Sequence, residues 1–365
     1  MRLRRITLQH FRNVAFADLE FTGDRQFFVG ANAQGKSNLL EAAGFISALR
    51  SFRTADNRAL ITHDQPGAAL ACELEHERFG DTRVLIKLYP GGKDVTCDGE
   101  RIPRLTDYLG RFPTVVFSSQ DQLLVRGAPG GRRRWLDLAL AATDAAYLRA
   151  LQEHHHALTG RNRLLKTGAS PGELAAFEQP LATASAALVI ARTAGIRTLS
   201  TYVTAAHARV CTGTDSSPSA TIPEPAGLTY APDSALTDAA AWKALFLRNR
   251  PRELLMKTTL TGPHRDDCDL TIAGRSAREF ASEGQQRSLA LALRLAEVEY
   301  LHARTGVQPV LLIDDVLGEL DPVRRRHFWT GLNAGRQIIA TGTTLPEADP
   351  GTWQIFNVTA GTFTP

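Results

Sequence analysis

One short segment constrains this 365-residue chain more than any other feature. Residues 30–37 read Gly-Ala-Asn-Ala-Gln-Gly-Lys-Ser, the G-x-x-x-x-G-K-[ST] pattern of a phosphate-binding P-loop. The apolar residues 27–29 before it predict a buried strand, and residues 39–43 after it predict a helix. Two glycines let backbone N–H groups curl around phosphate oxygens at the positive end of that helix. This context favours a nucleotide-binding α/β core over a chance glycine-rich turn.

The P-loop supplies the first predicted ligands of ATP and Mg²⁺. We expect Lys36 to reach the β- and γ-phosphates, and the hydroxyl of Ser37 to bind Mg²⁺. The predicted nucleotide-binding residues of this segment are Gly30, Ala31, Asn32, Ala33, Gln34, Gly35, Lys36, Ser37 and Asn38.

A second motif lies near the C-terminal end, where residues 310–315 read Val-Leu-Leu-Ile-Asp-Asp. Four apolar residues followed by an acid are typical of a Walker B strand, whose carboxyl end lies beside the P-loop. We expect Asp314 to hold Mg²⁺ and Asp315 to orient the attacking water, so the predicted catalytic residues are Lys36, Asp314 and Asp315. The alternative is two surface acids that end a strand.

Charge and cysteine content narrow the class of protein. The formal net charge is +4, which permits a polyanionic partner without requiring one. The four cysteines are widely spaced and form no C-x-x-C pair, which predicts neither a zinc site nor a disulfide framework. No signal peptide and no run of about 18 apolar residues is evident, so we expect a cytoplasmic protein.

The remaining pattern predicts a core built from both ends of the chain. Strands are expected at residues 3–8, 16–21, 69–74, 83–88 and 114–117, and helices dominate from 132 to 210. A further helix from 237 to 249 is expected to end at Pro251, and strands are expected at 337–340 and 353–358. We therefore predict an α/β fold in which residues 1–130 and 252–365 form a mixed-sheet core with a β-rich subdomain. Residues 131–251 would form an inserted helical arm.

Residues 282–286, Ser-Glu-Gly-Gln-Gln, open a predicted helix just upstream of the Walker B strand. A serine at a helix start is most often a plain N-cap. Here the segment resembles the signature motif of ABC-type ATPases, in which this helix start faces the γ-phosphate of ATP held by a second subunit. The resemblance implies that Ser282, Gly284 and Gln285 bind nucleotide across a dimer. Residues 319–321 resemble the D-loop of that superfamily, and Thr341-Gly342-Thr343 occupy the usual place of a switch histidine, although an ordinary turn is the alternative there.

Longer segments narrow the resemblance to the RecF family. They are residues 11–13 (Phe-Arg-Asn), 38–42, 51–53 (Ser-Phe-Arg), 127–137, 160–166, 261–267 (Thr-Gly-Pro-His-Arg-Asp-Asp) and 312–321. The Asp-Asp pair of the Walker B motif is itself similar to that family. One departure is Ser119-Gln120, where the family usually has Pro-Glu; Gln120 is closer to the Q-loop glutamine of other ABC ATPases, which contacts Mg²⁺.

The resemblance implies an ATP-dependent DNA-binding recombination mediator that acts at gaps and at junctions of single- and double-stranded DNA. It implies partnership with RecR, and indirectly RecO, in loading RecA during replication-fork repair and SOS induction. A weak, DNA-stimulated ATPase is expected, because Asp315 is one methylene shorter than the glutamate of faster ABC ATPases and reaches the attacking water less well.

We expect the protein to act as a switch. Binding of ATP and Mg²⁺ would close two copies of the chain into a dimer that holds DNA. The predicted phosphate contacts to DNA are Arg132, Arg133, Arg134, Arg161, Arg163 and Lys166, with a solvated helix face as the alternative for each. Residues 154–156, three consecutive histidines, are expected on a solvated helix rather than at a metal.

Three other classes fit less well. A transport ATPase places its signature much sooner after the P-loop. A chromosome-organising SMC clamp has far longer coiled coils with sustained heptads. A nuclease fused to such a head would need a further acidic metal cluster after Asp321.

Overall fold

The computed structural model describes residues 1–54, 56–168, 170–212, 224–315, 322–332, 335–345 and 352–365. In chain order the strands are β1 (Arg2–Phe11), β2 (Val14–Glu20), β3 (Arg25–Val29), β4 (Ala68–His76), β5 (Gly80–Tyr89), β6 (Gly92–Cys97), β7 (Glu100–Arg101), β8 (Thr114–Ser118), β9 (Ala226–Ala231), β10 (Asp267–Ile272), β11 (Arg275–Ser276), β12 (Val310–Asp314), β13 (Ile338–Gly342), β14 (Gln354–Thr359) and β15 (Thr362–Thr364). The helices are α1 (Lys36–Ala48), α2 (Gln122–Arg126), α3 (Pro129–Ala141), α4 (Ala145–Thr167), α5 (Pro171–Thr212), α6 (Ala239–Met256), α7 (Ala277–Phe280), α8 (Glu283–Thr305) and α9 (Pro322–Gly331).

The central sheet has the order β15-β14-β3-β13-β12-β8, and the five strands from β14 to β8 run parallel. Continuous apolar runs such as residues 310–313 form its inner strands, because both faces of the sheet are covered. The register places Asp314 opposite Ser118 on one side and Thr341 on the other. The P-loop strand and the Walker B strand therefore end at the same edge, with β13 between them.

The β-rich subdomain is a second, antiparallel sheet with the order β2-β1-β4-β5-β6-β7. Its alternating apolar residues pack with the P-loop helix and the central sheet in one core, which includes Leu70 of β4, Leu40 of α1 and Phe28 of β3. On the opposite face of the central sheet, α8 and α9 cover β12 through residues such as Leu295 and Phe328. The P-loop helix is thus held between two sheets.

The helical region packs directly on the signature helix. Trp135 of α3, Leu199 of α5 and Leu293 of α8 share a core with Leu270 of β10. A three-stranded sheet, β11-β10-β9, joins one strand from the predicted arm to two from the predicted core. The division into core and arm at residues 130/131 and 251/252 stays a prediction, and the second boundary falls within α6.

The expectation that Pro251 ends its helix is wrong, because α6 continues to Met256. A proline removes one hydrogen bond, but tertiary contacts hold both halves of this helix. Trp242 is buried before the proline and Glu253 after it, where its carboxylate pairs with Arg161 at 2.7 Å.

Helix α5 is 42 residues long and apolar enough, by length and composition, to cross a membrane. Half of its most apolar window is buried within the fold. It packs against α4, α6 and α8, and these contacts account for the buried half of that window.

Candidate nucleotide-binding site

The P-loop connects β3 to α1 through two backbone positions in the left-handed region, Ala33 (φ 64°) and Gly35 (φ 111°). A Cβ added at Gly35 would lie 2.9 Å from Oδ1 of Asn13. A Cβ added at Gly30 would lie 2.4 Å from the carbonyl oxygen of Val358. Gly30 is therefore required by the close approach of β14, and Gly35 by its left-handed backbone and the nearby Asn13 side chain.

Lys36 lies at the first turn of α1 and is only 6% exposed. Its Nζ donates hydrogen bonds to the carbonyl oxygens of Gly30 at 2.7 Å and Ala31 at 2.8 Å. Burial lowers the pKa of Lys36, and the nearby carboxylates of Asp315 and Asp314 oppose that shift. The ammonium group is thus held within the loop, on the side that faces the two acids.

The end of the Walker B strand meets the P-loop at a direct hydrogen bond. The Ser37 hydroxyl donates to Oδ1 of Asp314 at 2.7 Å, and the Thr341 hydroxyl donates to the same oxygen at 3.0 Å. Thr341 stands at the end of β13, where ABC ATPases usually place the switch histidine, and here it binds the Walker B acid instead. A hydroxyl and a carboxylate oxygen in contact at the start of the P-loop helix form a donor set that suits Mg²⁺.

Asp315 follows directly and has a left-handed backbone, with φ 52°. A pocket of about 380 Å³ joins it to the P-loop. Its lining residues are Asn13, Asn32, Ala33, Gln34, Gly35, Lys36, Ser37, Asn38, Arg53, Asp314 and Asp315. Most of the predicted nucleotide ligands and all three predicted catalytic residues therefore meet in one pocket.

Asn13 and Arg53 line this pocket but were given no role from the sequence. Asn38 donates from Nδ2 to Oδ1 of Asn13 at 2.7 Å, and Arg53 donates from Nη1 to Oδ1 of Asn38 at 2.8 Å. Behind them, the buried Glu41 accepts two hydrogen bonds from Arg12 at 2.7 and 2.9 Å. Their signal was the occurrence of Phe-Arg-Asn and Ser-Phe-Arg among the family segments.

The hairpin of β14 and β15 also contacts the P-loop, at Gln34. The amide N–H of Ala360 donates to Oε1 of Gln34 at 2.7 Å, and that of Gly361 donates to the Gln34 carbonyl oxygen at 2.8 Å. Nothing in the local pattern of either segment indicated this pairing, which joins residues far apart in the chain.

The signature segment lies outside this pocket. Ser282 is the N-cap of α8, its hydroxyl accepts from the Gln285 amide at 3.3 Å, and the Ser282 amide donates to Oε1 of Gln285 at 2.8 Å. This is a complete capping box. A Cβ added at Gly284 would lie 2.7 Å from Nη1 of Arg324 on α9. Ser282 is exposed, and none of the three residues lines the pocket at the P-loop of its own chain.

Gln120 also lies beyond the P-loop pocket, in a 3-10 turn after β8. It is exposed and lines a neighbouring cavity of about 330 Å³. The next residue, Asp121, accepts a hydrogen bond from the Ser118 amide at 2.7 Å and pairs with Arg294 of α8 at the same distance. The role of Gln120 as a Mg²⁺ contact stays a prediction, as do the D-loop roles of residues 319–321, which lie outside the described residues.

Two of the predicted DNA contacts need correction. Arg161 is fully buried and pairs with Glu178 at 3.0 Å and Glu253 at 2.7 Å. Arg132 is 6% exposed, and Nε and Nη2 donate to Asp267 at 2.7 and 2.8 Å. A guanidinium that is buried and paired with carboxylates in this way cannot reach a phosphate at the surface.

The other four stay predictions. Arg163 and Lys166 are exposed on α4. Arg133 and Arg134 are half-buried on α3 and donate to backbone carbonyl oxygens at 2.6 and 3.0 Å.

The expectation that the three histidines lie on a solvated helix face is wrong for His154. His155 and His156 are exposed, but His154 is 5% exposed and packs beside His264, with ring centroids 5.9 Å apart. Burial lowers the pKa of His154 to about 3 and that of His264 to about 4. Three consecutive helical residues point in different directions, so one of them faces the core.

Fold and site together define an ATPase head of the ABC and SMC class. Comparison of the chain with known proteins leads to the same class. The family model described as RecF/RecN/SMC N terminal domain matches residues 2–346. The DNA replication and repair protein RecF of Geobacter metallireducens is 37% identical over 377 residues, covering 100% of both chains. The protein of the same name from Gloeobacter violaceus is 38% identical over 352 residues, covering 94% of this chain and 92% of the relative.

A solved structure of the recombination mediator protein RecF with ATP, described as part of the RecFOR pathway, superposes with a TM-score of 0.89 at 28% identity. The match covers 99% of this chain and 96% of that chain. An Smc head domain from Pyrococcus furiosus shares the fold alone, with a TM-score of 0.51 at 16% identity. The chain belongs to the RecF family.

Proposed function

We propose that this chain binds and slowly hydrolyses ATP, and uses that reaction to close two copies of itself on DNA. The observation that carries the proposal is the hydrogen bond from Ser37 to Asp314, which joins the P-loop to the Walker B strand in one pocket. The RecF structure described as holding ATP supports nucleotide binding in the same fold.

Each residue of the pocket has a role that follows from its position. The N–H groups of residues 31–36 would hold the phosphates, and Lys36 would exchange its carbonyl partners for the γ-phosphate. Ser37 and Asp314 would hold Mg²⁺, which offsets charge that develops on the β- and γ-phosphate oxygens. Asp315 orients the attacking water.

The signature segment completes the site from a second copy. Ser282, Gly284 and Gln285 lie outside their own chain's P-loop pocket, and Ser282 is exposed at a helix N-terminus that favours an anion. Neither copy alone holds all the ligands, so ATP binding favours a two-fold dimer by mass action.

DNA is the proposed polyanionic partner, because relatives at 37–38% identity are named as DNA replication and repair proteins. On the same resemblance we propose action at gaps and junctions, partnership with RecR and RecO in loading RecA, a part in SOS induction, and a cytoplasmic location. Arg163 and Lys166 are the exposed candidates for phosphate contacts.

Sedimentation velocity tests the proposal. The protein is measured with ATP, with ADP and without nucleotide, each with and without gapped duplex DNA. We expect a dimer with ATP alone and a larger DNA complex when ATP and gapped DNA are both present. A sedimentation coefficient that does not change with ATP at saturating Mg²⁺ would overturn the proposal.

A further inference from the structure

A third cavity, an open cleft, lies where the C-terminal end of α1 and strand β6 face α3 and α4. Its volume is about 630 Å³, large enough for a few amino-acid side chains. Among the described residues, none that lines it also lines the P-loop pocket. Its floor is aliphatic, formed by Leu109, Leu138, Leu148, Leu151 and Leu158.

Five basic side chains of the described residues line the cleft. Arg192 is buried and paired with Asp137 and Asp266. The other four are Arg50, Lys93, Arg133 and Arg134. Lys93 and the two arginines of α3 donate to neutral backbone carbonyl oxygens at 2.6–3.0 Å. Burial and the neighbouring charge of Arg134 lower the pKa of Arg50, and burial and the charge of Arg50 lower the pKa of Lys93. Arg50 thus lies close enough to Arg134 and to Lys93 for their charges to repel, a cost that a bound anion would relieve.

The lining provides little negative charge to offset them. Asp137 is the single carboxylate among the described residues of the cleft. It already accepts from Arg192 at 2.9 Å and from the Tyr147 hydroxyl. Apart from Asp137, Arg192 and the four other basic side chains, the titratable groups of the lining are histidines, which cannot supply negative charge.

We propose that this cleft binds an acidic peptide segment of a partner protein, which carries an apolar residue beside its carboxylates. The carboxylates would pair with Arg50, Lys93 and Arg134, and the apolar side chain would pack on the leucine floor. Arg133 and Arg134 are also predicted DNA contacts, but a nucleic-acid strand fits the cleft itself less well. Among the described residues no Phe, Tyr or Trp lines it, one of its three histidines is buried and another is half-buried, and its floor is aliphatic. The mixture of cations and aliphatic side chains therefore favours a peptide over a nucleic-acid strand.

Fluorescence anisotropy with one peptide family tests the proposal. The probe is a fluorescein-labelled peptide of three aspartates followed by two leucines with a free C-terminus. We expect saturable binding to the full chain at low salt, weakened at least about tenfold in Arg50→Ala/Lys93→Ala. Replacing the probe's aspartates by asparagines, or its leucines by serines, should weaken binding by a similar factor.

The matched control is Arg197→Ala/Lys243→Ala, which removes the same two charges from exposed positions on α5 and α6. It should bind the probe as the wild type does. Arg50→Glu is a second, single variant. The Arg50 side chain is crowded by its neighbours but stays in contact with solvent, so this variant should bind even less probe while its melting temperature does not fall. No binding by the wild type, or equal binding by the cleft and control variants, overturns the proposal. So does stronger binding of a short single-stranded oligonucleotide that depends on Arg50 and Lys93, because it assigns the cleft to nucleic acid.

Discussion

At the scale of single residues, hydrogen bonds between side chains fix the positions of the acids in the P-loop pocket. Asp314 accepts from both Ser37 and Thr341, so its position is fixed by two neighbouring elements. Asp315, the next residue, turns away through a left-handed backbone. Two consecutive acids therefore have different surroundings, which supports one role in holding Mg²⁺ and another in orienting water.

The variant Asp315→Asn separates these roles. Asparagine tolerates the left-handed backbone of this position, with φ 52°, and keeps the size of the side chain. It cannot accept a proton as a carboxylate does, so we expect ATP turnover to fall about 10²-fold while ATP binding and ATP-dependent dimerisation persist.

Phosphate release measures the turnover and nucleotide titration measures the affinity. Loss of ATP binding in Asp315→Asn would show that Asp315 helps to bind ATP and does not act by orienting the attacking water.

Glu41 offers a prediction about stability at the same scale. Its carboxylate is fully buried and pairs with Arg12 at 2.7 Å and Arg53 at 3.3 Å. Glu41→Gln keeps the shape but removes the charge that both arginines face, so we expect the free energy of unfolding to fall by about 2 kcal/mol. Urea denaturation measures this loss.

The control for that experiment is Glu153→Gln at an exposed position on α4, which should change stability by less than about 0.5 kcal/mol. Equal stability of Glu41→Gln and the wild type would mean that the arginines gain solvent or other partners when the charge is lost.

At the scale of elements, α4 brings a histidine into the core. The folded pKa of His154 is lowered to about 3 from 6.5, because burial disfavours the charged ring. Between these pH values the unfolded chain binds a proton that the folded chain does not, so stability is lost as pH falls through this window. His264, with a pKa of about 4, adds a contribution of the same sign.

We therefore expect the free energy of unfolding to fall with decreasing pH between about 6 and 4, and His154→Gln to reduce that slope. The reduction is at most about 1.4 kcal/mol per pH unit, the value for one proton. Urea melts from pH 7 to pH 4 measure it. His155→Gln, at an exposed position of the same helix, should leave the slope unchanged. The same reduction in both variants would show that burial of His154 is not the cause.

Some elements of the fold could be predicted from the sequence, and others could not. The P-loop and Walker B strands could be predicted because their motifs are contiguous and their apolar runs require cover on both faces. Arg132 and Arg161 could not be assigned, because a helix that packs on more than one side has no single solvated face to indicate which arginine is paired. The contacts of Glu41 with Arg12, and of Gln34 with the C-terminal hairpin, join segments that no local pattern relates.

At the scale of the whole molecule, the proposed ATPase site is shared between two copies of the chain. The P-loop pocket holds Lys36, Ser37 and both acids of the Walker B motif, while Ser282 lies outside that pocket at an exposed helix start. A monomer would therefore carry the P-loop half of one ATP site and the signature half of another. The two-fold pairing of such halves gives two complete sites per dimer.

The most direct measurement is ATP hydrolysis by a mixture of two inactive variants, Lys36→Ala and Ser282→Arg. Each should be inactive alone, because one lacks the P-loop ammonium and the other blocks the signature surface. In an equimolar mixture half of the dimers are mixed and each holds one intact site, so we expect about one quarter of the wild-type rate. No activity in the mixture, under conditions where the two variants form mixed dimers, would contradict a nucleotide site completed by a second copy.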